Sequence, residues 1–257
     1  MAKNKDKDHV DHSLLLKSLV AGREVHSTAQ TPLMDTPIII AGMYRGGTSL
    51  TTAAFALSGA WTGHTMEGNQ FNPKGYFENE GFKSIIHMML QISGYNDSDD
   101  LPPENLPDLR PIDRLHHIIE TMMLAEGYSG GPWVIKNPKV PFLWRYFDAI
   151  YPNAKWVIVR RNVDKVAESM GRVNVLSIPP KKKDLSVENL KDIARMYDMR
   201  LDSMKRKLKP EQYREINSED VADEDFSKLR DVVEWAGLSF NEGAVSDFVE
   251  PSYFHKS

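Results

Sequence analysis

The sequence contains no cysteine among its 257 residues. Disulfide bonds, thiolate metal ligands and a cysteine nucleophile are therefore excluded. It also has no apolar run of the roughly 20 residues that a membrane-spanning helix requires. The first thirteen residues, MAKNKDKDHVDHS, carry charges of both signs and precede no long apolar segment, so we expect no secretory signal and a cytoplasmic protein.

An excess of basic residues is missing as well. The chain has 32 Lys and Arg against 36 Asp and Glu, a formal net charge of −4 at pH 7. We therefore expect no nucleic-acid-binding surface. The eight histidines do not form a His-Glu-x-x-His motif, and the sequence predicts no metal site.

Short apolar runs alternate with helical patterns along the chain. The predicted strands are 38–41, 132–138, 155–161 and 213–218, and the main predicted helices between and after them are 49–57, 79–92, 112–126, 142–150, 163–171, 187–208 and 226–237. This alternation is typical of an α/β domain whose central parallel sheet is covered by helices on both faces. We expect one domain over residues 1–257, with a core at about 37–240 and a flexible segment at 1–12.

A glycine turn joins the first predicted strand to the helix after it, in IIIAGMYRGGTSLTTAAFAL (38–57). Gly42 and Gly47 bracket four residues, as in a nucleotide-binding P-loop, and such a turn favours a phosphate. Thr48 stands where the P-loop lysine belongs, and the neighbouring predicted strand ends in arginines instead of a Mg²⁺-binding aspartate. The nearest cation is Arg45. The loop therefore suits a phosphate without a γ-phosphoryl–metal centre, although two glycines can also merely turn the chain.

A second motif places a serine eight residues after an arginine at a predicted strand end, in RNVDKVAES from Arg161 to Ser169. Together with YRGGTS (44–49), it resembles the two signatures of sulfotransferases: the RSGTS loop and the R-[ND]-P-x-[DE]-x-x-x-S segment. Those enzymes use 3′-phosphoadenosine-5′-phosphosulfate. Gly46 stands in place of the loop serine, and Val163 stands where the family commonly has proline.

Three weaker similarities keep the order of the family. NPKGYFEN (72–79) resembles the N-x-x-G-[FYH]-[FW]-E-[DN] segment of the bacterial branch, and VIKNP (134–138) resembles its K-[DN]-P segment. Residues 216–240 resemble the segment beginning YEDL, with Ser218 where tyrosine is usual. The RKGxxGDWK segment of cytosolic animal enzymes is missing. The resemblance covers about 37–240 and implies the P-loop NTPase-like sulfotransferase fold.

The resemblance also implies which residues contact the donor: Arg45, Gly46, Gly47, Thr48, Ser49, Arg161 and Ser169. Arg45 would stabilise the leaving phosphate, helped by loop N–H groups and the two loop hydroxyls. Arg161 and Ser169 would bind the 3′-phosphate. Because side chains alternate along a strand, only one of Arg160 and Arg161 can face the ligand. The other would pair with a helix carboxylate.

A hydroxyl acceptor requires a general base. The candidates lie in the segment after the first helix: His64, Glu67, Glu78 and Glu80. We favour Glu78 because it stands in the best-matched motif, with Glu67 and His64 as alternatives, but Glu78 can also merely cap the helix 79–92. Lys136 either steadies the transferred sulfuryl group or the acceptor, or is a surface lysine.

These residues predict a sulfotransferase that moves a sulfuryl group from the phosphosulfate donor to a hydroxyl or amine, without a metal. The expected acceptor is a small molecule or a glycan. One alternative is a catalytically silent nucleotide-binding member of the family. Another is a P-loop kinase or nucleotide hydrolase, against which the missing lysine at Thr48 argues. The sequence identifies neither the acceptor nor the oligomeric state.

Overall fold

The computed structural model describes residues 36–70, 72–93, 95, 115–172 and 186–249. The elements in chain order are β1 (Ile38–Gly42), α1 (Thr48–Leu57), α2 (Glu80–Ile92), α3 (Leu115–Ala125), β2 (Val134–Lys136), α4 (Val140–Ile150), β3 (Lys155–Arg160), α5 (Val163–Arg172), α6 (Val187–Lys205), β4 (Tyr213–Asn217), α7 (Ser218–Ala222), α8 (Ser227–Trp235) and α9 (Glu242–Phe248). The segment 1–12, predicted to be flexible, lies outside the described residues.

The four strands form one parallel sheet in the order β2-β1-β3-β4. In the register of the sheet, Ile39 of β1 stands between Ile135 of β2 and Trp156 of β3. All five residues of β1 are buried, as expected of a central strand covered on both faces. The predicted α/β architecture is confirmed.

Side chains of β1 alternate between two hydrophobic cores. Ile39 and Ala41 pack on one face with residues of α2, α3, α4 and α6, where the rings of Phe82 and Trp133 stack with centroids 5.7 Å apart. Ile38 and Ile40 pack on the other face with α1, α8 and α9. Burying each large apolar side chain contributes about 1.5–3 kcal/mol to stability. The helices therefore cover both faces of the sheet, as predicted.

The parallel strands bring their carboxyl ends to one edge of the sheet. The segments that leave this edge begin at Met43, Asn137, Arg161 and Ser218, one after each strand. Ligands of open α/β sheets bind at such an edge. A smaller core that includes Met43 and residues of α5 and α6 packs beneath it and holds α5 next to the turn after β1.

No helix among the described residues is long and apolar enough to cross a membrane.

Candidate active site

The turn between β1 and α1 uses backbone conformations that ordinary residues rarely adopt. Gly47 has φ 88°, and Arg45 has φ 61° although it carries a side chain. A left-handed conformation costs a non-glycine residue about 1–2 kcal/mol, so the surrounding contacts must hold Arg45 there. The N–H of Gly46 donates to the carbonyl of Met43 over 3.0 Å and closes the turn.

Close neighbours explain the two glycines of this turn. A Cβ atom at Gly47 would overlap with the Cβ of Ser218, which is fully buried at the start of α7. A Cβ atom at Gly46 would lie 2.9 Å from the carbonyl oxygen of Met43. The serine found in the RSGTS loop would therefore need a shifted turn here. The glycine at position 46, in place of the family's serine, is therefore consistent with the shape of this turn.

The two motifs that the sequence analysis singled out meet at the turn. Arg161 Nη1 donates to the carbonyl oxygen of Arg45 over 2.9 Å, and Arg45 Nε donates to Ser169 Oγ over 3.1 Å. Ser169 is only 5% exposed. Residues 116 positions apart in the sequence thus share one site.

Arg172 joins this site at the end of α5 and was not predicted from the sequence. Its charge acts on both Arg45 and Arg161. The signal that could have found it is its position three residues after Ser169, because residues three apart lie on the same side of a helix. We call Arg45, Arg161 and Arg172 the arginine cluster.

Burial and neighbouring charges both act against the charged forms of Arg45 and Arg161. The pKa of Arg45 is lowered by burial and also by the charge of Arg172, against an opposing effect of Tyr76. The pKa of Arg161 is lowered by burial and by the charges of Arg45 and Arg172, and Glu219 opposes this. Burial is the larger cause of both shifts, and the like charges nearby add to it. A bound anion with several negative charges would relieve this repulsion.

Arg160 lies away from the turn. Its guanidinium contacts three carboxylates, those of Asp198, Asp202 and Glu215, and hydrogen bonds to the first two raise its pKa against the effect of burial. It thus ties β3 to α6 and β4. Of the two neighbouring arginines, the structure places Arg161 at the turn and Arg160 in an ion-pair network.

A second polar cluster lies beside the turn and centres on Lys136, which is 4% exposed. Lys136 Nζ donates to Glu78 Oε1 over 2.8 Å, to the carbonyl of Tyr76 over 2.9 Å and to Ser49 Oγ over 3.2 Å. Asn137 Nδ2 donates to Glu78 Oε2 over 3.2 Å. Lys136 is therefore not the surface lysine that one interpretation allowed, and it connects the start of α1 with Glu78.

Ser49 is turned toward this second cluster. Its hydroxyl donates to the carbonyl oxygen of Tyr76 over 3.0 Å and accepts from Lys136. Thr48 is buried at the first position of α1, directly after Gly47. The first N–H groups of a helix have no acceptor within the helix and remain suited to an anion.

Of the candidate bases, Glu78 lies closest to the turn, through its contacts with Lys136 and Asn137. Its suggested role as a helix cap is wrong, because Asn79 caps α2 by accepting from the N–H of Phe82 over 2.8 Å. His64 and Glu67 are exposed.

The backbone around Glu78 is fixed by unusual contacts. Phe77 has φ 52°, and its ring meets that of Phe248 edge to face, with centroids 5.6 Å apart. Lys74 donates to the carbonyl of Phe248 at the end of α9. Asn79 donates through Nδ2 to Glu126 of the segment after α3. These contacts hold the segment 74–79 against the sheet edge from both sides of Glu78.

Loss of the Asn79 cap should loosen this segment. We expect Asn79→Ala to lower the free energy of unfolding by about 1–2 kcal/mol, because the N–H of Phe82 loses its acceptor and Glu126 loses a donor. Each kcal/mol corresponds to a melting temperature about 2–4 °C lower in a chain of this size. Thermal unfolding measures the change. Gln91→Ala, an exposed position at the other end of α2, is the control and should melt within about 1 °C of the wild type.

Two tyrosines border the site without being able to act as bases. Tyr44 and Tyr197 meet edge to face, with ring centroids 6.0 Å apart. Burial raises the pKa of the Tyr44 hydroxyl above its usual range, and the charge of Glu78 raises it further. Burial raises the pKa of Tyr197 as well. Both hydroxyls therefore keep their protons near neutral pH.

Within the described ranges, no group of three or more histidine, aspartate or glutamate side chains could hold a metal ion.

Comparison with known protein families gives a match over most of the chain. The model of the sulfotransferase family matches residues 37–242, which is most of the chain. The chain belongs to the sulfotransferase family. No curated protein matches the chain significantly.

Solved structures share the fold at low sequence identity. The sulfotransferase domain of the Synechococcus PCC 7002 olefin synthase is 12% identical with a TM-score of 0.51, over 90% of this chain and 87% of that one. A sulfotransferase from Mycobacterium tuberculosis H37Rv is 13% identical with a TM-score of 0.50, over 87% and 74% of the two chains. The sulfotransferase domain from the curacin biosynthetic pathway is 12% identical with a TM-score of 0.51, over 81% and 77%. The predicted sulfotransferase fold is confirmed.

Proposed function

We propose that this sulfotransferase transfers a sulfuryl group from 3′-phosphoadenosine-5′-phosphosulfate to a hydroxyl or amine of a small-molecule or glycan acceptor. The observation that carries the proposal is the junction of the two motifs. Arg161 donates to the backbone of Arg45, and Arg45 donates to Ser169. One molecule with phosphate groups at both ends can therefore reach both motifs.

The residues at this junction fit a doubly phosphorylated nucleotide. Arg45 and the backbone N–H groups of Gly47 and Thr48 would hold the 5′-phosphate end, next to the start of α1, whereas the N–H of Gly46 is already used by the carbonyl of Met43. Arg161 and Ser169 would hold the 3′-phosphate. The lowered pKa values of Arg45 and Arg161 are compatible with this role, because a bound anion would offset the burial of these charges and the repulsion from neighbouring guanidinium groups. A guanidinium also binds phosphate through two parallel hydrogen bonds.

When bound, the donor supplies an activated sulfuryl group whose S–O bond to the 5′-phosphate breaks as the acceptor oxygen bonds to sulfur. Glu78 Oε1 takes the proton of the acceptor hydroxyl, while Asn137 holds Glu78 Oε2 in place. Arg45 stabilises the negative charge that grows on the leaving phosphate oxygen. Since a guanidinium does not lose its proton near neutral pH, Arg45 acts through its charge and not as a general acid.

Binding of adenosine 3′,5′-bisphosphate tests the nucleotide part of the proposal. We expect saturable binding in calorimetric titration with EDTA present, because no metal is needed at the loop. Adenosine 5′-monophosphate, which lacks the group for Arg161 and Ser169, should bind at least about tenfold more weakly. No binding of the bisphosphate, or tighter binding of ATP with Mg²⁺, would overturn the proposal and favour a kinase or hydrolase.

Turnover separates an enzyme from a silent family member. The wild-type protein is incubated with ³⁵S-labelled donor and a panel of alcohols, phenols, amines and glycans, and labelled products are separated from the donor. We expect a labelled product with at least one acceptor class. Bisphosphate binding without any labelled product would favour the silent alternative.

A further inference from the structure

We infer that Lys136 is shared between the base and the donor: it neutralises Glu78 in the free protein and is drawn away when the sulfate group of the donor binds. This inference rests on the proposed function. It assigns Lys136 a role in coupling the binding of the donor to the release of the base.

The contacts of Lys136 show why it can be shared. An ammonium group has three N–H donors, and the three acceptors around Nζ are Glu78 Oε1, the carbonyl of Tyr76 and Ser49 Oγ. The side chain is 3% exposed, so water provides little compensation for a lost partner. A new anionic partner must therefore replace one of the three.

Position decides which anion can compete. Ser49 directly follows Thr48, whose N–H is proposed to hold the 5′-phosphate, and the sulfate of the donor is attached to that phosphate. A sulfate at this end of the loop lies beside Ser49 and hence beside Lys136. Since both the sulfate and Glu78 are anions, each weakens the hold of the other on the same ammonium group.

The release of Lys136 changes what Glu78 can do. In the free protein both carboxylate oxygens accept hydrogen bonds, Oε1 from Lys136 and Oε2 from Asn137. Once the sulfate attracts Lys136, Oε1 becomes available to an acceptor hydroxyl, while Asn137 still orients the carboxylate. Because coupling is reciprocal, Glu78 must also weaken binding of the sulfate-bearing donor relative to the sulfate-free product.

The test compares the affinities of two nucleotides without any acceptor, so it is independent of turnover. The phosphosulfate donor and adenosine 3′,5′-bisphosphate are titrated calorimetrically, and the ratio of their affinities isolates the effect of the sulfate. We expect Lys136→Met to lower the donor-to-bisphosphate ratio about 10- to 100-fold and Glu78→Gln to raise it about tenfold. Lys83→Met, an exposed lysine of α2, is the matched control and should leave the ratio unchanged.

Either single variant leaves one charged group without its partner and can lose stability. The double variant Glu78→Gln/Lys136→Met removes the whole pair, and its melting temperature shows that it folds. It should have the low ratio of Lys136→Met, because the lysine acts directly on the sulfate.

Two results would overturn the inference. One is a wild-type protein that binds both nucleotides but whose ratio is unchanged in Lys136→Met and in the double variant. The other is a Glu78→Gln variant, folded by its melting temperature, whose ratio is not raised. A wild-type protein that binds neither nucleotide overturns the proposed function as well, so the two failures are distinguishable.

Discussion

Arg161→Gln will lower the affinity for adenosine 3′,5′-bisphosphate by about 100-fold, whereas Arg160→Gln will leave it unchanged. Hydrogen bonds between a guanidinium and a phosphate contribute about 1.5–3 kcal/mol, and glutamine provides neither the charge nor the paired donors. Arg161 lies at the turn through its bond to the Arg45 carbonyl, while Arg160 is held by Asp198 and Asp202. Calorimetric titration of both variants measures the difference.

The neighbouring arginine makes this comparison a matched one. Both substitutions remove one positive charge at adjacent positions, so the net charge of the two variants is the same. Arg160→Gln should instead lower the free energy of unfolding by about 1 kcal/mol, since its partners lie partly in solvent. Equal loss of affinity in both variants would mean that only the overall positive charge matters. Unchanged affinity in both variants would mean that the 3′-phosphate does not bind at Arg161.

The proximity of Arg45 and Arg161 could be predicted because it follows from the general geometry of a parallel sheet. Each stands just after a buried strand, and parallel strands end at one edge of a sheet. The apolar runs that predicted these strands are short but wholly hydrophobic. This pattern can be recognised in the sequence without knowing any tertiary contact. The predicted boundaries were less accurate: β2 spans only Val134–Lys136, because the glycines and Pro132 before it and Pro138 after it limit its pairing.

The Lys136–Glu78 pair could not be predicted in the same way. Its two residues are 58 positions apart, and one of them lies in a segment without regular secondary structure. The path of that segment depends on the positive φ of Phe77. Nothing about phenylalanine as a residue type predicts a positive φ. Hydrophobic periodicity places elements, but the partners of a side chain in an irregular segment depend on its backbone torsions and on what packs over it.

The same limit explains why Arg172 was missed and why the capping role of Glu78 was wrong. Arg172 belongs to the site only because the side of α5 that carries Ser169 faces the turn. Asn79 caps α2, and a shift of one residue in the start of that helix is within the usual uncertainty of helix boundaries. That shift leaves Glu78 outside the helix, where its carboxylate is available to Lys136.

Glu78→Gln should lower the turnover rate by about 10²–10⁴-fold. The amide keeps one oxygen, which can still accept from Lys136, but its nitrogen cannot accept from Asn137 and it cannot take a proton from the acceptor hydroxyl. General-base catalysis typically contributes a factor of this size. The rate of labelled product formation at saturating donor, with an acceptor that the wild type uses, measures the effect. Affinity for the bisphosphate should be retained, which distinguishes a lost base from a lost nucleotide site.

Glu67→Gln and His64→Gln test the competing assignments of the base. Both side chains are exposed, so we expect each variant to keep the wild-type turnover rate within about threefold. If either variant loses turnover while Glu78→Gln retains it, the base lies elsewhere in the segment and Glu78 serves only as the partner of Lys136.

The stability of Glu78→Gln needs its own control, because this variant leaves a buried lysine without its carboxylate. The double variant with Lys136→Met provides that control: it should fold and, at saturating donor, be at least as slow as the single variant, since both lack a group that can take the proton.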